Sequence, residues 1–172
     1  MLKAMIAAAT IGLFAVGPAA AEVTGRHADG FALRVTVPTA ASAGDVISAL
    51  GTIGGWWDGA HTYSGDAANM TMALQPGDCF CEALADGGVV EHGRVVTFDA
   101  DHLTLDAPLG PLKGQATRAE LTLRWPDAGA GTAVTLTYVV EGPNLGGMAG
   151  AVDGVLTGAV ARLVRYAETG AP

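Results

Sequence analysis

From residue 69 to residue 141 the chain runs in short segments whose residues alternate between apolar and polar. The segments are 69–75, 79–84, 88–98, 102–106, 115–125 and 132–141. Turn-forming residues separate them: Pro76-Gly77, Asp86-Gly87-Gly88, 99–101, 108–111 and 127–131. A period of two sends successive side chains to opposite faces of a strand. Loops this short join only antiparallel neighbours. One more strand is predicted upstream over 31–38, where Phe31, Leu33, Val35 and Val37 share a face and Pro38 closes the run.

The period then changes. Leu145, Met148, Val152, Val155, Leu156, Ala159 and Leu163 recur at helical spacing. A long helix is predicted from about 145 to 168, with Asn144 as its cap. Between the first strand and the run of six, Ser42 caps a short helix over 43–50, and Trp56-Trp57 begin a second short helix or turn. A curved antiparallel sheet needs one face covered, and only the last helix is long enough to cover it. The predicted fold is α+β: a curved sheet of about seven strands wrapped around a long C-terminal helix, with two short helices after the first strand. Gly150, Gly154 and Gly158 form a ladder on that helix and are read as a face for close backbone approach. Asp153 and Arg162 argue against a membrane span.

Residues 1–21 are laid out as a secretory signal: Lys3, an apolar run from Ala4 to Val16, Gly17-Pro18, and small residues at Ala19 and Ala21 before a cut ahead of Glu22. Residues 22–172 then form a single domain, expected in the periplasm or outside the cell with no integral membrane span after cleavage. Acidic residues outnumber basic ones, 17 to 9, and no Lys/Arg cluster exists, which excludes a nucleic-acid partner. Half of the residues are apolar and 15% are charged, so core material is ample and disorder is not expected.

The stretches GGWWDGAHTYSG, PGDCFCEAL, GGVVEHGRVVTFDADHLTL, LGPLKG, GTAVTLTYVVEG and AVDGVL, before a terminal RLVRYAETG, sharpen this outline. Together with the element order they resemble the helix-grip fold of the SRPBCC superfamily. That superfamily includes START lipid-binding domains, polyketide cyclases and birch-pollen-type allergens. The stretches look like the bacterial branch named after the activator of the heat-shock ATPase. The resemblance covers about residues 30–170. It implies a cavity for an apolar ligand between the long helix and the sheet; a minority of such proteins are enzymes.

The candidate cavity residues are Trp56, Trp57, His61, Tyr63, Met72, Cys79, Cys81, His92, Arg94, Met148 and Val152. One tryptophan is expected in the core and the other at the rim. Glu82 and Arg94 are candidate polar anchors. A solvent-facing place is expected for Glu82, because a buried carboxylate must be paired or protonated. Asp153 is expected on the helix surface. No nucleophile elbow, HExxH, P-loop or dinucleotide fingerprint is present, and nothing makes Ser64, His61 and Asp66 a triad.

Cys79 and Cys81 are the only cysteines. A two-residue loop over Asp86-Gly87 would set Cys81 opposite His92 and Cys79 opposite Arg94. Both sulfurs would then share a face with His92, a three-ligand set for zinc. A three-residue loop would instead set Glu82 opposite His92 and turn the cysteines to the far face. Residues two apart on a flat strand lie about 6.6–6.8 Å apart, at the upper limit for a disulfide. The expectation is free, buried thiols lining the cavity, with no metal and no cofactor. The expected partner is a small hydrophobic ligand. The alternatives are a cyclase- or hydratase-type enzyme using His92 or His61 with an acidic residue, or a structural or chaperone-like module without a ligand. A histidine within reach of a carboxylate inside the cavity would favour the enzyme. N-terminal sequencing of the exported protein is expected to begin near Glu22; intact Met1 recovered from a membrane fraction would contradict the signal reading.

Overall fold

The computed structural model describes residues 20–126 and 132–172. Residues 1–19 of the expected signal and the turn at 127–131 lie outside the described residues. The elements follow in the order β1 (Ala20–His27), β2 (Gly30–Thr39), α1 (Ala43–Gly51), β3 (Met70–Met72), β4 (Cys79–Ala83), β5 (Val89–Phe98), β6 (His102–Asp106), β7 (Arg118–Arg124), β8 (Thr132–Glu141) and α2 (Ala149–Thr169). All eight strands form one antiparallel sheet, in the order β1-β2-β8-β7-β6-β5-β4-β3.

The alternation becomes a single buried face. Phe31, Leu33 and Val35 on β2 meet Val140, Tyr138 and Leu136 on β8 in register. Leu121 and Leu123 on β7 continue the layer to Leu105 and Leu103 on β6. α2 packs Leu156, Val160, Leu163 and Val164 into this face and touches β2, β1, β8 and α1. Each such side chain contributes about 1.5–3 kcal/mol when removed from water. α1 starts as predicted: Ser42 accepts from Asp45 N–H, and the Asp45 carboxylate accepts from Ser42 N–H, a complete capping box.

Four expectations change. β1 is an eighth strand, with Ala20 and Ala21 of the expected signal paired to Thr36 and Val35. It lacks apolar alternation because it is an edge strand exposed on both faces; its Val23 is 41% exposed. β2 runs through Pro38 to Thr39, with Pro38 paired to Ala133 and Thr39 to Thr132 of β8. Asn144 caps nothing with its side chain. It takes a left-handed conformation (φ 62°), its N–H donates to Asp29 Oδ1 at 3.0 Å, and a 3-10 turn over Leu145–Met148 precedes α2. Nothing lies within 4 Å of a Cβ built on Gly150, Gly154 or Gly158, so that ladder faces open space instead of another backbone.

Where Trp56 and Trp57 sit, the second short helix is reduced to 3-10 turns over Ile53–Gly55 and Gly59–His61. The closely spaced glycines there cannot sustain an α-helix. Leu163→Ala is expected to cost about 2–5 kcal/mol, read by denaturant unfolding. A loss below 1 kcal/mol would show that α2 is not seated in the sheet.

Candidate functional site

The site is built on the β4–β5 hairpin. Leu84 N–H donates to Gly88 O at 2.8 Å, and Gly87 adopts φ 84°, so the loop has three residues, Ala85 to Gly87. Next to the loop Glu82 pairs with Val90 and Cys81 with Glu91. The ladder then slips by one: Phe80 pairs with Gly93 and Cys79 with Arg94. His92 is the extra residue of a β-bulge. It and Gly93 both fall on the inner face, opposite Phe80. Gly93 is obligatory there, because a Cβ would lie 2.7 Å from Ala107 Cβ and 2.8 Å from Asp106 O.

The bulge delivers the His92 ring to Glu82. His92 Nε2 lies 2.8 Å from Glu82 Oε2, and the two side chains are 4% and 0% exposed. Glu82 also accepts from Tyr63 N–H at 3.0 Å and from Ser64 N–H. Burial by itself would raise this carboxyl. The bonds from Tyr63, Ser64 and His92 outweigh it and hold the pKa at about 2, well below the ordinary 4.5. Tyr63 and Ser64 are positioned by the Gly59–His61 turn. Asp58 caps that turn and faces Arg162 of α2 at 3.4 Å. The His92 ring lies between Phe80 (5.1 Å between centroids) and Tyr63 (5.6 Å). Trp57 extends this row against Phe80 at 5.6 Å.

His92 looks into a cavity of about 480 Å³. The loop side supplies Trp57, His61, Thr62 and Tyr63. The 3-10 turn Gly110–Leu112 and its approach supply Leu109, Gly110 and Pro111. The first half of α2 and the turn before it supply Met148, Ala151, Val152, Val155 and Leu156. Tyr138 OH fixes the middle wall: it donates to Ala107 O at 2.6 Å and accepts from Leu109 N–H at 3.4 Å. Deeper between α2 and the sheet the interior is closed, with a void of only about 30 Å³, roughly one water. The space suited to a ligand is thus beside the N-terminal half of α2, and does not extend the length of the helix.

Of the sequence candidates, the structure brings Trp57, His61, Tyr63, His92, Met148 and Val152 to this cavity. Trp56 is in the core, donating from Nε1 to Ala49 O at 2.7 Å, and Met72 is buried beside it. Cys79, Cys81 and Arg94 are elsewhere. β4 alternates Phe80 and Glu82 inward with Cys79 and Cys81 outward, and Arg94 shares the outer face. The cysteines are not free thiols: they are joined as a disulfide. At the bulge β4 departs from a flat strand, and their Cα atoms lie 5.3 Å apart, inside the normal range for a disulfide.

Glu82 is fully buried instead of solvent-facing, because three donors satisfy it. Asp153 is half-buried with Oδ1 unpartnered, instead of a free surface charge. Leu109, Gly110 and Pro111 were missed as site residues. Their signal was the LGPLKG segment between two strands, which reads locally as a plain turn.

A carboxyl held near pH 2 in the fold and near 4.5 when unfolded stabilises the protein above pH 4.5, and that share is lost as pH falls through 2. The shift corresponds to about 3 kcal/mol. The difference in unfolding free energy between wild type and Glu82→Gln is therefore expected to shrink by about that amount between pH 6 and pH 2. At pH 7 the variant is expected to be less stable, because the amide nitrogen faces donors. A difference that stays constant with pH would show that Glu82 is not charged in the fold.

No protein-family model matches the sequence, and no curated protein matches it. Solved structures do. The crystal structure of CalU16 from Micromonospora echinospora aligns with a TM-score of 0.57 at 18% identity, over 90% of this chain and 84% of that one. The Aha1 dimer from Colwellia psychrerythraea aligns with a TM-score of 0.60 at 16% identity, over 81% and 97%. The di-domain ARO/CYC StfQ of the steffimycin biosynthetic pathway aligns with a TM-score of 0.56 at 12% identity, over 83% of this chain and 52% of StfQ. The antiparallel sheet curved around its C-terminal helix is a helix-grip fold, and these structures share it.

Proposed function

We propose that the protein binds a hydrophobic small molecule in the cavity beside α2, oriented by the His92–Glu82 pair. The observation that supports this is the cavity itself: about 480 Å³, with a largely apolar wall and one buried polar pair. Small-molecule pockets span about 300–1,000 Å³ and combine apolar lining with a few placed polar groups. Affinity would come from buried apolar area, at about 25 cal/mol per Å². Orientation would come from His92, whose Nδ1 has no protein partner among the described residues. With Nε2–H donating to the carboxylate, Nδ1 presents a lone pair to a ligand hydroxyl or N–H. We place this activity in the periplasm or outside the cell, from the layout of residues 1–21.

A second reading, catalysis of a cyclase or hydratase type, is favoured by one observation. A histidine within 2.8 Å of a charged carboxylate is the arrangement of a general base with its orienting partner. StfQ, an ARO/CYC, shares the fold. A module without a ligand is disfavoured by the open cavity.

Native mass spectrometry of protein purified from the periplasm is expected to show one co-purifying apolar molecule. Fluorescence titration with the apolar dye 1-anilinonaphthalene-8-sulfonate gives a second measure. Val152→Trp, which fills the cavity from α2, is expected to weaken dye binding at least tenfold, or about 1.4 kcal/mol, with cooperative unfolding retained. Unchanged dye affinity in a folded variant would remove the cavity from the account. If the co-purified molecule is converted on incubation, and His92→Gln stops the conversion, the catalytic reading replaces the binding one.

A further inference from the structure

The outer face of β4 carries chemistry that the cavity does not use. The Cys79–Cys81 disulfide spans a single residue, and both cysteines are partly exposed. It is a poor staple. Disulfide stabilisation grows with the length of loop closed, and this loop is as short as a loop can usefully be. β4 is also already held by backbone ladders to β3 and β5.

Its surroundings suit exchange chemistry. Glu91 Oε2 lies 3.9 Å from Cys79 Sγ, a contact that becomes a hydrogen bond once the sulfur carries a proton. Arg94 pairs across the ladder from Cys79 and forms an ion pair with Glu91. With its charge balanced by Arg94, the Glu91 carboxylate can accept a hydrogen bond from the thiol that reduction leaves at Cys79. Cys79 also lines an open surface groove with Asp78, Leu74 and Thr52, so a small thiol can reach it.

The opposite face of the same strand carries Phe80 and Glu82, the two residues that hold His92. Residues two apart on a flat strand stand about 6.6–6.8 Å apart, whereas Cys79 and Cys81, bridged beside the bulge, stand at 5.3 Å. Opening the bridge lets β4 extend between the very residues that support the pair. We propose that Cys79–Cys81 is a reversible exchange site for a dithiol reductant, and that its redox state is transmitted through β4 to the Glu82–His92 pair.

In the exchange, a thiolate of the dithiol attacks one cysteine sulfur. The S–S bond breaks, and the released cysteine sulfur leaves as a thiolate that takes a proton. The second thiol of the reductant then displaces the mixed disulfide. The protein gains two electrons and two protons, and the dithiol is oxidised to its cyclic disulfide.

The test uses the full chain as purified, titrated with dithiothreitol and its oxidised form and quenched by alkylation. Mass spectrometry reads the number of labelled cysteines, and NMR reads the His92 Cε1–H signal. The expected result is two labelled cysteines in protein that keeps its native circular dichroism, full reversal by the oxidised dithiol, and a His92 signal that moves between two positions with the labelling. Cys79→Ser/Cys81→Ser is expected to sit near the reduced position and not to respond. If that double variant does not fold, the wild-type titration decides alone.

Thiols that appear only on unfolding, or a His92 signal indifferent to reduction, would overturn the proposal. So would a stoichiometric metal ion on the Cys79, Cys81 and Glu91 cluster, whose ligand atoms lie within 4.8 Å of one another. The proposal does not rest on the ligand reading: a dye that binds in neither redox state refutes the cavity's role and leaves this titration as it stands.

Discussion

A carboxylate without access to water must be surrounded by donors, and that requirement organises the functional half of this molecule. Glu82 points inward from β4. Its oxygens are met by two backbone N–H groups of the Tyr63–Ser64 loop and by the His92 ring. Each donor needs its own support. The loop is held by the Asp58 cap and its contact with Arg162 on α2. The ring is held by a bulge that only a glycine at position 93 permits. Removing any one of these leaves a buried charge short of a partner, which is far more costly than the loss of one surface contact.

This arrangement links the fold to the cavity. The strongly apolar part of the interior, under the middle of α2, is packed to within about one water of solid. It serves as a platform and not as a container. The room lies to one side, where the N-terminal half of α2, the Leu109–Pro111 turn and the aromatic loop meet, and where the Glu82–His92 pair lends an apolar wall one oriented polar group. A ligand there would touch three separately positioned segments. The cavity shape therefore depends on loops as much as on the sheet.

Features that depend on a residue's near neighbours in sequence were legible in the chain. Phe31, Leu33, Val35 and Val37 alternate, α2 shows its helical stripe, and Ser42 with Asp45 spells a capping box; each is a local pattern with a local cause. β1 was not legible, because an edge strand exposed on both faces has no apolar rhythm. The β4–β5 register was legible only as two alternatives. The loop has three residues and the cysteines face outward, but neither expected register formed: Glu82 pairs with Val90 and not with His92. The slip that then brings His92 inward answers a tertiary demand, the buried Glu82, and no local pattern encodes it. Glu82 was singled out as a possible anchor but assigned to solvent, since the donors that make its burial tolerable come from a loop some 18 residues away.

The central claim is that an apolar ligand occupies the cavity in contact with His92. The most direct test is an NMR titration that follows the His92 Cε1–H signal while 1-anilinonaphthalene-8-sulfonate is added and its fluorescence is recorded on the same samples. The account predicts a saturable displacement of the His92 signal with the same midpoint as the fluorescence rise. Saturating fluorescence with a stationary His92 signal would place the bound dye elsewhere and contradict the account.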